Sequence, residues 1–174
     1  MALHGYVNTM SCACWNIDAQ KICGIAETDI DNGTFVVLGE MALNDDVPGG
    51  FEYNVLVANG DSDHVWLVRT PEVGDDIDMQ MSNDPRKFYN KAGKPMSLCY
   101  MNAGYDHIEM TAEAFESGEL PEVGGVLIIG DNGKLEVSED ADEALVVFYC
   151  VALHQIAIGA ESVPTAILFC GKND

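Results

Sequence analysis

At 174 residues, 48% of them hydrophobic, the chain can bury a core as one medium domain or two small ones, which argues against disorder. Only 8 Lys and Arg stand against 29 Asp and Glu, and the resulting net charge of −21 repels nucleic-acid phosphates and anionic bilayers alike. The acid is spread through loops, so its ordinary reading is a well-solvated surface and its sharper reading is cation binding.

Residues 1–23 have no clean period and are rich in sulfur. They are expected to form an N-terminal arm on a neighbour, or an edge strand, tied down by something outside the segment. The run MALHGYVNTMSCACW lacks the basic region and the apolar stretch of about 7–15 residues that a secretory leader needs. No apolar run approaches the roughly 20 residues of a membrane helix. Synthesis in the cytosol and a soluble product are expected. There Cys12, Cys14, Cys23, Cys99, Cys150 and Cys170 should be thiols. Cys150 and Cys170 lie in apolar runs and read as small buried hydrophobes. Cys12, Cys14 and Cys23 lack the second half of a zinc motif.

Residues 24–174 read as a β-rich domain or, divided, as two β subdomains at 24–110 and 111–174. An Asn-Gly turn at Asn32-Gly33 introduces a strand at Thr34-Phe-Val-Val-Leu38, stopped by Gly39. After a loop holding Asp45, Asp46, Pro48, Gly49 and Gly50 comes a strand at Tyr53–Val57. Gly60–Asp63 turns the chain into a strand at His64–Arg69, with Val65, Leu67 and Arg69 on one face. An acidic loop spans 70–78. Asp84 and Pro85 then start a helix of about two turns over Arg86–Ala92, closed by Gly93. A strand at Ser97–Met101 and a short helical turn at Thr111–Gly118 follow.

The clearest pattern comes next: a strand at Val123–Ile129, a tight turn at Asp131-Asn-Gly133 and an alternating strand at Lys134–Ser138. An acidic loop from Glu139 to Glu143 leads to strands at Leu145–Leu153 and Thr165–Cys170. Short strands at regular spacing, with no strand–long helix alternation, predict a mainly β fold: a compact β-barrel or sandwich-like domain with one or two short helices.

Motifs for catalysis are missing. Gly93-Lys94, Gly133-Lys134 and Gly171-Lys172 do not complete a phosphate loop. The glycines at 124, 125 and 130 open no helix, and there is no nucleophile elbow. His4, His64, His107 and His154 share no metal-ligand spacing. No catalytic residue, metal or cofactor is therefore expected. The weak calcium candidates are Asp29 and Asp31 in one turn and Asp75, Asp76 and Asp78 in another; their ordinary reading is an acidic turn. Arg86, Lys87, Lys91 and Lys94 are four of the 8 basic residues and, with Phe88 and Tyr89, form a candidate interaction patch for a neighbour's acidic loop. The ordinary reading of that island is a solvated face.

Three stretches carry a family resemblance: Asn32-Gly-Thr-Phe-Val-Val-Leu-Gly39, Val65-Trp-Leu-Val68, and Leu120-Pro-Glu-Val-Gly-Gly-Val-Leu-Ile-Ile-Gly-Asp-Asn-Gly-Lys-Leu-Glu-Val137. With the return strand at Val146–Leu153 and the final one at Ala166–Phe169, their order over residues 24–170 resembles small head-associated proteins of tailed phages, of the capsid-decoration or auxiliary-capsid kind. The Cys-Ala-Cys segment departs from that pattern. The resemblance implies a non-enzymatic virion structural protein on the capsid surface, made in the host cytoplasm. Its partners would be the major capsid protein or another virion protein and further copies of itself, with no nucleic acid and no membrane. A soluble β-sandwich binding calcium or carbohydrate, with Trp15 and Trp66 as candidate aromatics, is the second reading. A phage tail or head–tail component is the third. The major capsid shell fold itself looks to need a longer chain with a long spine helix.

Overall fold

The computed structural model describes residues 3–42, 52–73, 84–139 and 141–173. The expected loop at 45–50, Asp75, Asp76 and Asp78 lie outside the described residues. Among the described residues, eleven strands form two assemblies. β2 (Lys21–Ile25), β3 (Phe35–Ala42), β4 (Glu52–Val57), β5 (Trp66–Val68) and β6 (Pro95–Tyr100) close a barrel in the order β2-β4-β3-β5-β6, with β2 and β4 parallel. β1 (Val7–Asn8), β7 (His107–Thr111), β8 (Val126–Ile129), β9 (Leu135–Val137), β10 (Val146–Ile158) and β11 (Glu161–Asn173) form a six-stranded sheet, β1-β7-β11-β10-β8-β9. The mainly β fold expected from the sequence is the one found.

The barrel strands explain their own sequences. Side chains alternate across a strand, and here both faces are covered. Val36, Val68 and Leu98 point into the barrel with Met96 and Val55. Their chain neighbours Phe35, Leu67 and Cys99 point outward into a larger core with Ile108, Met110, Leu127, Phe148 and Leu168 of the sheet. Strands buried on both sides read as continuous apolar runs. The two cores sit back to back on the same strands, and the Phe35 and Phe148 rings meet across the larger one at 5.1 Å.

Four details differ from the sequence reading. The expected helix at 86–92 is one 3-10 turn, Pro85–Lys87; Asp84 caps it as expected, accepting from the Arg86 amide at 3.0 Å. The turn stops because Phe88 is buried in extended conformation and the Asn90 backbone pairs with Ile30. The helical turn at 111–118 is likewise reduced to Ala112–Ala114, as Phe115 turns extended and bridges to Leu135. So short a segment cannot offset helix nucleation against a buried aromatic and a strand bridge. Gly39 does not stop β3, which passes through an irregularity between Leu38 and Met41 and runs on to Ala42. His64 belongs to a turn at φ 48 and not to β5.

Candidate functional site

The two stretches that carry the resemblance most fully are docked together. The turn of the β8–β9 hairpin plugs into the start of β3: the Phe35 amide donates to the Gly133 carbonyl at 2.7 Å. Gly133 has φ 74, and a Cβ there would lie 2.7 Å from the Phe35 carbonyl oxygen, so only glycine fits this approach. Lys134 seals the joint, its ammonium donating to Asp31 Oδ2 at 3.1 Å and to the Glu113 carbonyl at 3.0 Å. Beside it the buried Asn32 donates to the Thr70 carbonyl at 2.8 Å and accepts the Thr70 amide at 3.0 Å, while Asn90 Nδ2 donates to the same Asn32 oxygen at 3.2 Å.

The feature most available to a partner is the β10–β11 hairpin. Each strand has 13 residues, far beyond the ends expected at Leu153 and Thr165. β8 covers β10 at Phe148 and Tyr149, and β7 covers β11 from Thr165 to Phe169. Gly124 and Gly125 extend that cover to Cys150, whose carbonyl accepts the Gly124 amide at 2.8 Å and whose amide donates to the Gly125 carbonyl at 2.9 Å. From Val151 on, among the described residues, the hairpin is a two-stranded ribbon with open edges turning at Gly159. A register shift between Cys150 and Ala152 makes Val151 a bulge. Around it Tyr149, Val151 and Leu153 are 42%, 45% and 52% exposed. β10 contains no Asp, Glu, Lys or Arg in its 13 residues. Free edges are normally guarded by charge, and this edge, in a chain of net charge −21, has none.

The basic island is partly committed within the chain. Arg86 is 8% exposed; its guanidinium grips Asp84 through two bonds of 3.0 and 2.8 Å and reaches Glu161, beside the turn at the tip of the ribbon, at 2.9 Å. The hydrogen bond from Arg86 holds the Asp84 carboxyl below the ordinary aspartate range. Phe88 is buried and Tyr89 stacks on His4 at 5.1 Å. Phe88, Tyr89, Lys91 and Lys94 line one small groove of about 260 Å³. The described calcium candidates serve as local acceptors: Asp29 takes the Ala92 amide at 2.9 Å, and Asp31 takes His4 at 2.7 Å as well as Lys134. Among the described residues, no group of three or more His, Cys, Asp or Glu is arranged to hold a metal ion. The four histidines lie apart. His154 bonds Glu109 at 2.8 Å; burial works against that carboxylate, but bonds from His154, Thr165 and Asn8 outweigh it and keep its acid low.

A convergence that the spacing alone did not reveal is a thiol cluster. Cys12 and Cys14 flank the start of a 3-10 turn, Ala13–Trp15, pinned by the Ala13 amide on Asp106 at 2.7 Å. That turn sets the Cys14 sulfur in hydrogen-bonding reach of both Cys12 and Cys99 of β6. Beside it lies a cavity of about 740 Å³ walled by Cys14, Cys23 and Cys99, by Trp15 and Tyr53, and by Lys21 and Arg69. Trp66 lies elsewhere, edge-on to Tyr100.

No protein-family model matches the chain. No curated protein matches it. Among solved structures, it is similar to the N base of the head fibre gp8.5 of bacteriophage phi29, with a TM-score of 0.39 and 14% identity over 84% of this chain and 92% of that one. A score at that level carries neither fold nor function from one chain to the other.

Proposed function

We propose that this chain is a non-enzymatic structural protein of a phage-like particle that holds its place by β-mediated contacts with other virion subunits, as a capsid decoration or auxiliary capsid protein does. The carrying observation is the uncharged β10 strand with its open distal edge and exposed Tyr149, Val151 and Leu153. Main-chain groups on such an edge give affinity to an added strand, and the apolar side chains give it register. The partner class comes from the resemblance of residues 32–39 and 120–137, whose stretches pack against each other as one joint. The acidic remainder keeps a multicopy surface protein soluble and repels DNA. Lys87, Lys91 and Lys94 supply a second, electrostatic contact for an acidic loop of the next subunit.

The test is fractionation of the producing cell's particles, with electron microscopy of labelled chain. The reading predicts the chain on intact particles and an assembly larger than the 18.8 kDa protomer in solution. A monomer absent from every particle would overturn it. That outcome would favour a free binding module instead, for which Trp15 and Tyr53 on the large cavity wall are the supporting observation.

A further inference from the structure

The large cavity has a chemical character that the assembly reading does not use. On the face of β2 and β6 turned away from the barrel interior, Lys21 lies opposite Cys99 and Cys23 opposite Ser97. Across from them the Ala13–Trp15 turn brings Cys14 to the same wall. Lys21 and Arg69 share this lining with Glu72, and both cations are engaged within the chain: Lys21 donates to the Trp15 carbonyl at 3.2 Å and Arg69 pairs with Glu72 at 3.1 Å, its Nε alone being buried without a hydrogen-bond partner. We propose that Cys14 and Cys99 form a thiol–disulfide exchange site, which takes a small disulfide and closes to a Cys14–Cys99 cross-link.

The geometry assigns the roles. Hydrogen bonds from Cys12 and Cys99, with Lys21 nearby, favour a thiolate on Cys14 against the effect of burial, so Cys14 is the attacking sulfur. The bond to Cys14, reinforced by burial, keeps Cys99 a thiol until Cys14 has reacted. Cys12 is not on the cavity wall. Cys14 attacks one sulfur of the small disulfide and expels its other half as a thiolate. Cys99 then gives up its proton, attacks the Cys14 sulfur and expels the second half. Two protein thiols are oxidised to one disulfide, one small disulfide is reduced to two thiols, and the two protein protons end on the two leaving groups. The product ties the amino-terminal segment to the barrel. It stays open in a reducing cytosol and closes in an oxidising medium. The site stands whether or not the chain joins a particle.

The experiment treats the folded full-length chain with oxidised glutathione at neutral pH, followed by intact mass and peptide mapping. Wild type should lose two hydrogen atoms, yield a single Cys14–Cys99 linked peptide and melt at a higher temperature. Cys99→Ala removes the resolving thiol and should trap glutathione on Cys14. Six unreacted thiols in wild type, a link that maps to any other pair, or no adduct on Cys14 in Cys99→Ala would each overturn the proposal.

Discussion

The barrel and the six-stranded sheet are built from similar residues and solve the strand-edge problem in opposite ways. The barrel joins β2 to β6 and leaves no edge. Its entry is fastened by the Asn32, Thr70 and Asn90 bonds and by the Gly133 turn pressed onto Phe35. The sheet shares the barrel's core along one stretch, then runs past it as the β10–β11 ribbon, uncharged on β10 and partly apolar. The difference separates a region whose groups are satisfied within the chain from one whose edge is left for another chain.

The comparison breaks most severely at the core the two regions share. Phe148→Ala removes a fully buried ring that packs on Phe35, and should cost about 3–5 kcal/mol. Because the core is common, urea unfolding followed by fluorescence and by circular dichroism should stay a single coincident transition at a lower midpoint. Two separated transitions would mean that the regions fold independently. Asn32→Ala acts on the barrel entry alone. It strands the Thr70 amide and carbonyl and should cost about 1–3 kcal/mol in the same assay, with no effect on assembly.

Acid tests the clamp between the regions. The folded-state pKa values of Asp84 and Glu109 are displaced downward, so the stability they contribute is present above their ordinary values of 3.8 and 4.5 and is lost as pH falls through their lowered folded values. Thermal melts should show Asp84→Asn less stable than wild type at neutral pH, with the gap narrowing below about pH 4. A gap that stays constant with pH would remove Arg86–Asp84 from the account. The smallest stability effect belongs to the ribbon: Val151→Ser and Leu153→Ser, both at exposed positions, should shift unfolding by within about 0.5 kcal/mol.

The sequence made some of this plain and hid the rest for physical reasons. The β8–β9 hairpin was legible because Asp131-Asn-Gly133 is strong local turn chemistry followed by clean alternation. Barrel strands β3 to β6 were legible; β2 was not, because Lys21–Ile25 lies across the end of the irregular opening segment. Nothing local said which face of Phe35 or Leu67 met which core. The helix at 86–92 was misjudged because a long-range bridge from Asn90 to Ile30 overrode a good local cap. The outer ribbon lies outside the expected strands, which ended at Leu153 and began at Thr165, and the stretch between holds Gly159 and Pro164, residue types that ordinarily interrupt a strand. In the fold, Gly159 is the turn, and Pro164 lies just outside the stretch that β7 pairs. The thiol cluster was hidden because Cys99 joins Cys14 only through tertiary folding.

The central claim is that the uncharged ribbon edge is an assembly surface. Its most direct measurement is sedimentation of wild type and of the Val151→Ser, Leu153→Ser double variant, alone and with particles from the producing cell. The account predicts that wild type assembles and travels with the particles, while the equally stable double variant stays a free protomer. A double variant that assembles and joins particles as wild type does, or a wild type that never does either, would contradict it.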